Sequence, residues 1–172
     1  EVYTINDQYD LAEGAYAVNA WFKQDWKPLS GDEIEHGLQL LRWSREDLLG
    51  VVDGLPDEVL DRTYAGERWS IRGILKHVGG VDWWYLDRLG LAPARAQMPG
   101  EAFERLRVMR ASLVEKLPGL ADKDLVVGKE GEFWSPRKLL RRAIWHEIDH
   151  RMHIQRLIQA PPYPGAARAA GS

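Results

Sequence analysis

The sequence predicts an all-α protein that folds as a four-helix bundle, with an N-terminal arm and a disordered C-terminal tail. Apolar residues recur every three or four positions in four separate stretches, which is the spacing of one helix face. Serine caps and proline or glycine breaks bound these stretches, and no convincing β alternation competes for the core. At 172 residues the chain is long enough for one well-cored domain. We expect the bundle over residues 32–160, a tail over 161–172, and an arm or remnant of a longer chain over 1–31.

The arm and the first helix differ in their aromatic and apolar content. Trp21, Phe22 and Trp26 precede a Pro-Leu-Ser-Gly stretch, and we expect these rings to pack onto the main body. From Asp32 onward the pattern becomes helical, and it ends near Gly54. The apolar positions of this first helix are Ile34, Leu38, Leu41, Leu48 and Val51.

Three further helices follow, each with recognisable ends. The second begins at Ser70, a natural N-cap, and runs to about Gly90. The third covers roughly residues 100–117 and ends at a Pro-Gly pair. The fourth begins at Ser135-Pro136 and continues to about Gln159, where prolines stop it. A Trp-Ser pair precedes both the second and the fourth helix, which indicates either shared capping chemistry or two related helical halves.

Composition narrows the classes of function. The charges nearly balance, with 23 Lys+Arg against 26 Asp+Glu, so nucleic acid is not an expected partner. There is no cysteine, which removes disulfides, thiolate ligands and a cysteine nucleophile together. No stretch approaches the roughly 18 apolar residues of a membrane span, and no targeting segment is recognisable at the N-terminus. We therefore expect a cytoplasmic protein with no membrane partner.

Three histidines lie on the core-facing stripe of the fourth helix. His146, His150 and His153 follow the apolar positions of that stripe at spacings of four and three residues. An unpaired polar group inside an apolar seam is destabilising by about 1–3 kcal/mol, so each imidazole needs a partner there. Residues four apart on a helix lie on one face, about 5–6 Å from each other, and can share one metal ion.

His77 supplies a third imidazole from the middle of the second helix. Gly73 and Gly80 flank it by about one turn on each side, which favours either close helix packing or clearance for a metal-bound ligand. His77, His146 and His150 therefore make a predicted three-His site whose open position is typical of a catalytic ion. Neutral imidazoles suit zinc, nickel, iron and copper. His153 could replace His146 in the ligand set or act as a proton shuttle, whereas the isolated His36 is interpreted as an ordinary structural histidine.

The same stretch also matches the zinc-protease pattern His-Glu-x-x-His, in which Glu147 would be the general base. That class needs a third ligand, usually a His or Glu well downstream. No His follows His153 and no Glu follows Glu147, so the protease interpretation is disfavoured. Glu147 stays a candidate base, although its position beside the imidazole stripe is more typical of a residue that supports the bundle.

These motifs resemble the DinB-like superfamily, which includes YfiT-like metal hydrolases and bacterial low-molecular-weight thiol S-transferases. The resemblance rests on Trp69-Ser70 before His77 and on His146-x-x-x-His150-Arg151 followed by Ile154, and it covers roughly residues 32–160. It implies a four-helix bundle with a divalent metal on the three histidines, and often a homodimer. Many members carry Gly-Gln after His-Arg, where this chain has Met152-His153.

The resemblance leads to three hypotheses about function. The first is an enzyme that uses a divalent ion, zinc or nickel in the first place, to transfer an external low-molecular-weight thiol to a small-molecule electrophile. The second is a hydrolase with the same ligands and hydroxide as the nucleophile. The third is a metal-stabilised binding module without catalytic activity.

Overall fold

The four long helices predicted from the sequence are all present in the computed structural model, which describes residues 20–159. They are α1 (Gly31–Val52), α3 (Ile71–Arg88), α4 (Ala102–Lys116) and α5 (Pro136–Gln159), and a one-turn helix, α2 (Asp57–Leu60), follows α1. Short 3-10 turns lie at Lys23–Trp26, Arg95–Gln97 and Leu117–Leu120. The helical bundle is therefore confirmed. The predicted tail and the first 19 residues of the predicted arm lie outside the described residues.

Serine side chains begin three of the four long helices. Ser30 Oγ accepts from the backbone N of Glu33, whose carboxylate in turn accepts from the backbone N of Ser30. Ser70 Oγ accepts from Gly73 N at 3.2 Å, and Ser135 Oγ accepts from Lys138 N at 3.2 Å. Each bond satisfies a backbone donor that the first helical turn leaves free. The Trp-Ser pairs noted in the sequence therefore both act as helix starts.

The described end of the arm packs on the bundle through aromatic rings. Trp21 is buried, meets Trp26 edge-to-face at 4.9 Å, and lies 5.8 Å from Phe133. The buried carboxylate of Asp25 accepts from Arg141 on α5 at 2.7 Å. Residues 20–31 are thus fixed to the start of α5 by apolar contact and one ion pair.

A two-stranded hairpin, which the sequence did not predict, precedes α5. Its strands are β1 (Val127–Lys129) and β2 (Glu132–Trp134), and they pair antiparallel. The two turn residues between them both have positive φ, 54° at Glu130 and 82° at Gly131, as a tight hairpin turn requires. Strands of three residues are too short for an alternating pattern to be recognised, so the hairpin could not be predicted from hydrophobic spacing. The hairpin places Trp134, which is fully buried, at the start of α5.

Contacts between named residues define the direction of each helix. Ser44 of α1 bonds Glu147 of α5, and Gly37, seven residues earlier, faces Leu140, so these two helices run parallel. Gly79 of α3 faces Leu106 of α4, and Asp82 pairs with Arg110, so this pair is parallel too. Tyr85 Oη donates to the carbonyl of Arg142, while the earlier His77 meets the later His146, so α3 is antiparallel to α5. The connections must therefore include a crossover between α3 and α4.

A layer of buried charge divides the core into two apolar clusters. One cluster surrounds Leu41, Tyr85 and Trp134, and the other surrounds Leu48, Ile74 and Leu106. Between them lie four charged side chains, one from each long helix: Arg45, Asp82, Arg110 and Glu147. The two arginines and the two carboxylates balance, as buried charges must.

None of the helices within residues 20–159 is long and apolar enough to cross a membrane.

Candidate metal centre

The three predicted ligands converge at one point between α3 and α5. His146 Nε2 lies 3.1 Å from His77 Nε2 and 3.1 Å from His150 Nε2. One ring nitrogen from each histidine lies within 4.8 Å of the others. The four-residue spacing places His146 and His150 on one face of α5, and the antiparallel crossing of α3 brings His77 opposite them. This three-His cluster could hold a metal ion.

The distances are compatible with a shared divalent ion. Two nitrogens bound at about 2.0–2.1 Å in a tetrahedral site are separated by about 3.3 Å, close to the observed contacts. Three nitrogen donors without a thiolate or carboxylate suit zinc and nickel alike, so the ligand set leaves the identity of the ion open.

Burial keeps these imidazoles uncharged at neutral pH. It lowers the pKa of His146 to about 2, with additional repulsion from His150 and His77. It also lowers the pKa of His150 to about 4, assisted by His77 and His153. The pKa of His77 falls for the same reason, with a further contribution from the charge on Arg68. Neutral imidazole is the form that binds a metal, so the cluster needs no deprotonation to accept one.

Aromatic packing fixes the orientation of His77. The Trp69 ring stacks on the imidazole with 4.7 Å between centroids and an interplanar angle of 26°. A Cβ at Gly73 would lie 2.9 Å from Trp69 Cβ, so the glycine makes room for the tryptophan. Close helix packing falls at Gly79 instead, where a Cβ would lie 2.9 Å from the backbone N of Leu106. The glycines around His77 therefore serve two different contacts.

Glu147 points away from the imidazoles and into the buried charge layer. Its carboxylate accepts from Ser44 Oγ at 3.0 Å and also from Arg45 and Arg110. The side chain is 1% exposed. Both carboxylate oxygens are occupied by these donors, so the contacts support a structural part for Glu147. Its role as a general base stays a prediction. The third histidine beside His146 and His150 is His77, which lies upstream, whereas a zinc protease takes its third ligand from a downstream segment.

The two other histidines lie outside the cluster. His153 Nε2 is 3.0 Å from a carboxylate oxygen of Glu67, and its ring centroid is 6.1 Å from that of His150. It is therefore a neighbour of the site, where a proton-shuttle role stays a prediction. His36 is exposed on α1 and lines a different groove.

A cleft of about 910 Å³ opens beside the three imidazoles. Trp69, Trp83 and Trp84 line it, whereas Trp134 is buried in the core and Trp145 is exposed elsewhere on α5. Sequence reasoning missed its basic residues, which are Arg68, Lys76, Arg95, Arg105 and Arg142. They come from five separate segments, and only Arg142, four residues before His146, carried a helical-face signal.

The fold and the site together define a helical bundle in which two antiparallel helices present a possible three-His metal centre to a cleft. The family comparison agrees with this class: the DinB superfamily matches residues 40–154. The chain belongs to the DinB superfamily. No curated protein and no solved structure matches it at a significant level.

Proposed function

We propose that this protein is a metal-dependent enzyme that transfers an external low-molecular-weight thiol to a small-molecule electrophile. The observation that carries the proposal is the convergence of three Nε2 atoms at the wall of a cleft. A site with three protein ligands leaves a position for water or a substrate, unlike the closed ligand sets of structural ions. Membership of the DinB superfamily, whose members are often metal-dependent enzymes, supports the same class.

His77, His146 and His150 would hold the ion, with zinc or nickel expected. When bound, a divalent ion lowers the pKa of a thiol toward neutrality and so favours the nucleophilic thiolate. The chain contains no cysteine, so the thiol must arrive as a second small molecule. The protein's own part is to keep the three imidazoles neutral by burial and to hold His77 in place through the Trp69 stack.

The cleft has the dimensions of a small-molecule site. Its volume of about 910 Å³ lies within the usual range for ligand pockets, about 300–1,000 Å³. Tryptophan and valine side chains contribute apolar surface to its walls, as is usual for ligand sites.

Metal content and thiol transfer, measured on the same protein samples, test the proposal. Purified protein should contain about one equivalent of zinc or nickel by plasma mass spectrometry. His77→Ala, His146→Ala and His150→Ala should each lose it, while His36→Ala, at an exposed position outside the cluster, should retain it. The metal-loaded protein should then accelerate the reaction of N-acetylcysteine or cysteamine with monochlorobimane.

Each negative outcome has a distinct meaning. No metal after reconstitution would overturn the proposal and leave a histidine-bearing binding module. Bound metal with ester hydrolysis but no thiol transfer would replace the transferase with a hydrolase. Bound metal with neither reaction, combined with unfolding of His77→Ala, would favour a metal-stabilised binding bundle.

The expected homodimer is a proposal as well. The parallel helices α1 and α5 expose large apolar side chains, which include Leu40, Trp43, Ile148 and Met152. Exposed apolar residues on neighbouring helices favour association with a second copy. Sedimentation velocity of wild type and Trp43→Glu would test this, with a monomeric wild type as the refuting result.

A further inference from the structure

The cleft beside the three-His cluster is lined by five cationic side chains and by no acidic one among the described residues. The cations come from the segment before α3, from α3 itself, from the loop after it, from α4 and from α5: Arg68, Lys76, Arg95, Arg105 and Arg142. The whole chain carries a formal net charge of −3. Positive charge is thus concentrated in a cleft of an otherwise acidic molecule.

These five cations lack carboxylate partners within residues 20–159. Elsewhere, Arg72, Arg88 and Arg137 each bind at least one carboxylate. In the cleft, Arg68 and Arg95 lie over the rings of Trp69 and Trp83, at 4.7 and 5.4 Å from the ring centroids. These contacts position the guanidinium groups without neutralising them.

Arg105 and Arg142, which also line the cleft, follow the same pattern. Arg105 Nε donates to the carbonyl of Pro99, a neutral acceptor. Arg142 Nε is buried and has no hydrogen-bond partner in the described part of the chain. The Arg142 guanidinium lies 4.7 Å from the ring centroid of Trp145, so its charge, like that of Arg105, meets no carboxylate in the described residues.

The charges act on one another across the cleft. Burial lowers the pKa of Arg105, and the field of Arg95 lowers it further. Arg68 and Arg142 line the same cleft as His77 and His146, and a divalent ion on these histidines would add two positive charges.

We propose that the substrate bound in this cleft is a small organic anion with at least two negative charges on carboxylate or phosphate groups. This inference rests on the proposed function, because it names the class of molecule that meets the activated thiol. Five uncompensated cations beside a divalent ion favour a multiply charged anion over a monoanion. The walls formed by Trp69, Trp83 and Trp84 match an apolar, planar body between the charged groups.

The shape and charge of the protein argue against a larger polyanion. A nucleic acid needs an extended positive surface, whereas here the cations lie inside a concave site and the remainder of the protein is net negative. A small anion fits within the cleft and avoids that repulsion.

Isothermal titration calorimetry on zinc-loaded protein tests the inference with three aromatic probes. Isophthalate carries two carboxylates, phenyl phosphate carries a phosphate, and isophthalamide is the neutral counterpart of isophthalate. The cleft variant is the triple substitution Arg68→Gln, Lys76→Gln and Arg95→Gln. The control, with the same change in net charge, is Arg42→Gln, Arg62→Gln and Lys123→Gln at exposed positions that do not line the cleft. Metal content and urea unfolding are measured on every variant.

Wild type and control should bind at least one of the two anions, and isophthalamide should bind at least about tenfold more weakly. The cleft variant should lose about tenfold or more in affinity for the anion, since it lacks three of the five cationic groups that would pair with the anion. Raising the ionic strength should weaken wild-type binding. Preference for isophthalate or for phenyl phosphate identifies the acidic group.

Equal binding of isophthalamide, or equal losses in the cleft variant and the control, would overturn the inference. So would the absence of anion binding to folded, metal-loaded wild type. Metal content distinguishes this failure from that of the proposed function. Protein without metal that still binds anions through the cleft would reject the enzyme but retain the anion site.

Discussion

Glu147→Gln should destabilise the protein strongly because it breaks the buried charge layer. The wild-type carboxylate accepts from Arg45, Arg110 and Ser44, and it is 1% exposed. A glutamine keeps the shape but offers only one carbonyl oxygen, and its NH₂ group faces donors. Asp82 is then left alone with two arginines that are mostly buried.

Removing one partner of a buried ion pair typically destabilises a protein by about 3–5 kcal/mol. For a chain of this size each kcal/mol lowers the Tm by about 2–4 °C, so the expected shift is about 6–20 °C. Urea and thermal unfolding of metal-free protein measure it, and Glu46→Gln on the exposed side of α1 is the matched control. Unchanged stability of Glu147→Gln, together with lost activity, would refute the structural role and restore Glu147 as the candidate base.

Three further predictions concern the metal, acid stability and helix packing. His153→Ala should retain the metal that His77→Ala loses, as plasma mass spectrometry would show, because His153 lies outside the cluster. The pKa of Glu33 is lowered to about 2, chiefly by its hydrogen bond to an arginine of α5. The ionised carboxylate therefore stabilises the fold above about pH 4.5, and this stabilisation is lost as the pH falls toward 2. Glu33→Gln should therefore unfold more readily in urea at pH 5 than wild type, and the difference should shrink at pH 2. Gly79→Ala should lower stability by about 1–3 kcal/mol through overpacking against α4, whereas Gly50→Ala, with open space around it, should raise stability by about 0.5–1 kcal/mol.

The features predicted correctly from the sequence are those with a local, periodic signal. The four long helices follow from apolar spacing and from serine caps such as Ser70 and Ser135, and their bounds agree within a few residues. The pair His146 and His150 can be recognised in the sequence because the four-residue spacing places both side chains on one face of a helix. His77 is predicted from the middle of another helix, where Gly73 and Gly80 flank it, and the crossing of α3 and α5 brings it to the pair.

The features missed from the sequence depend on contacts between distant segments. In the sequence, Arg110 and Asp82 resemble ordinary surface charges. They are 28 residues apart, so only the packing of the two helices shows that they form a buried ion pair. The basic cleft was hidden for a related reason. A near balance of charges over the whole chain says nothing about their local separation, and Arg68 and Arg95 join the cleft only through the fold.

The charge layer and the three-His cluster are linked through adjacent residues on α5. His146 and Glu147 are neighbours in sequence, so their side chains point about 100° apart around the helix axis. Glu147 is held by directional hydrogen bonds to α1 and α4, and a rotation of α5 that moved His146 would break them. Apolar packing alone tolerates small rotations, because dispersion contacts have little directional preference. The buried ions therefore set the direction in which His146 faces His77, and a bundle with a uniformly apolar core would hold the imidazoles less firmly in register.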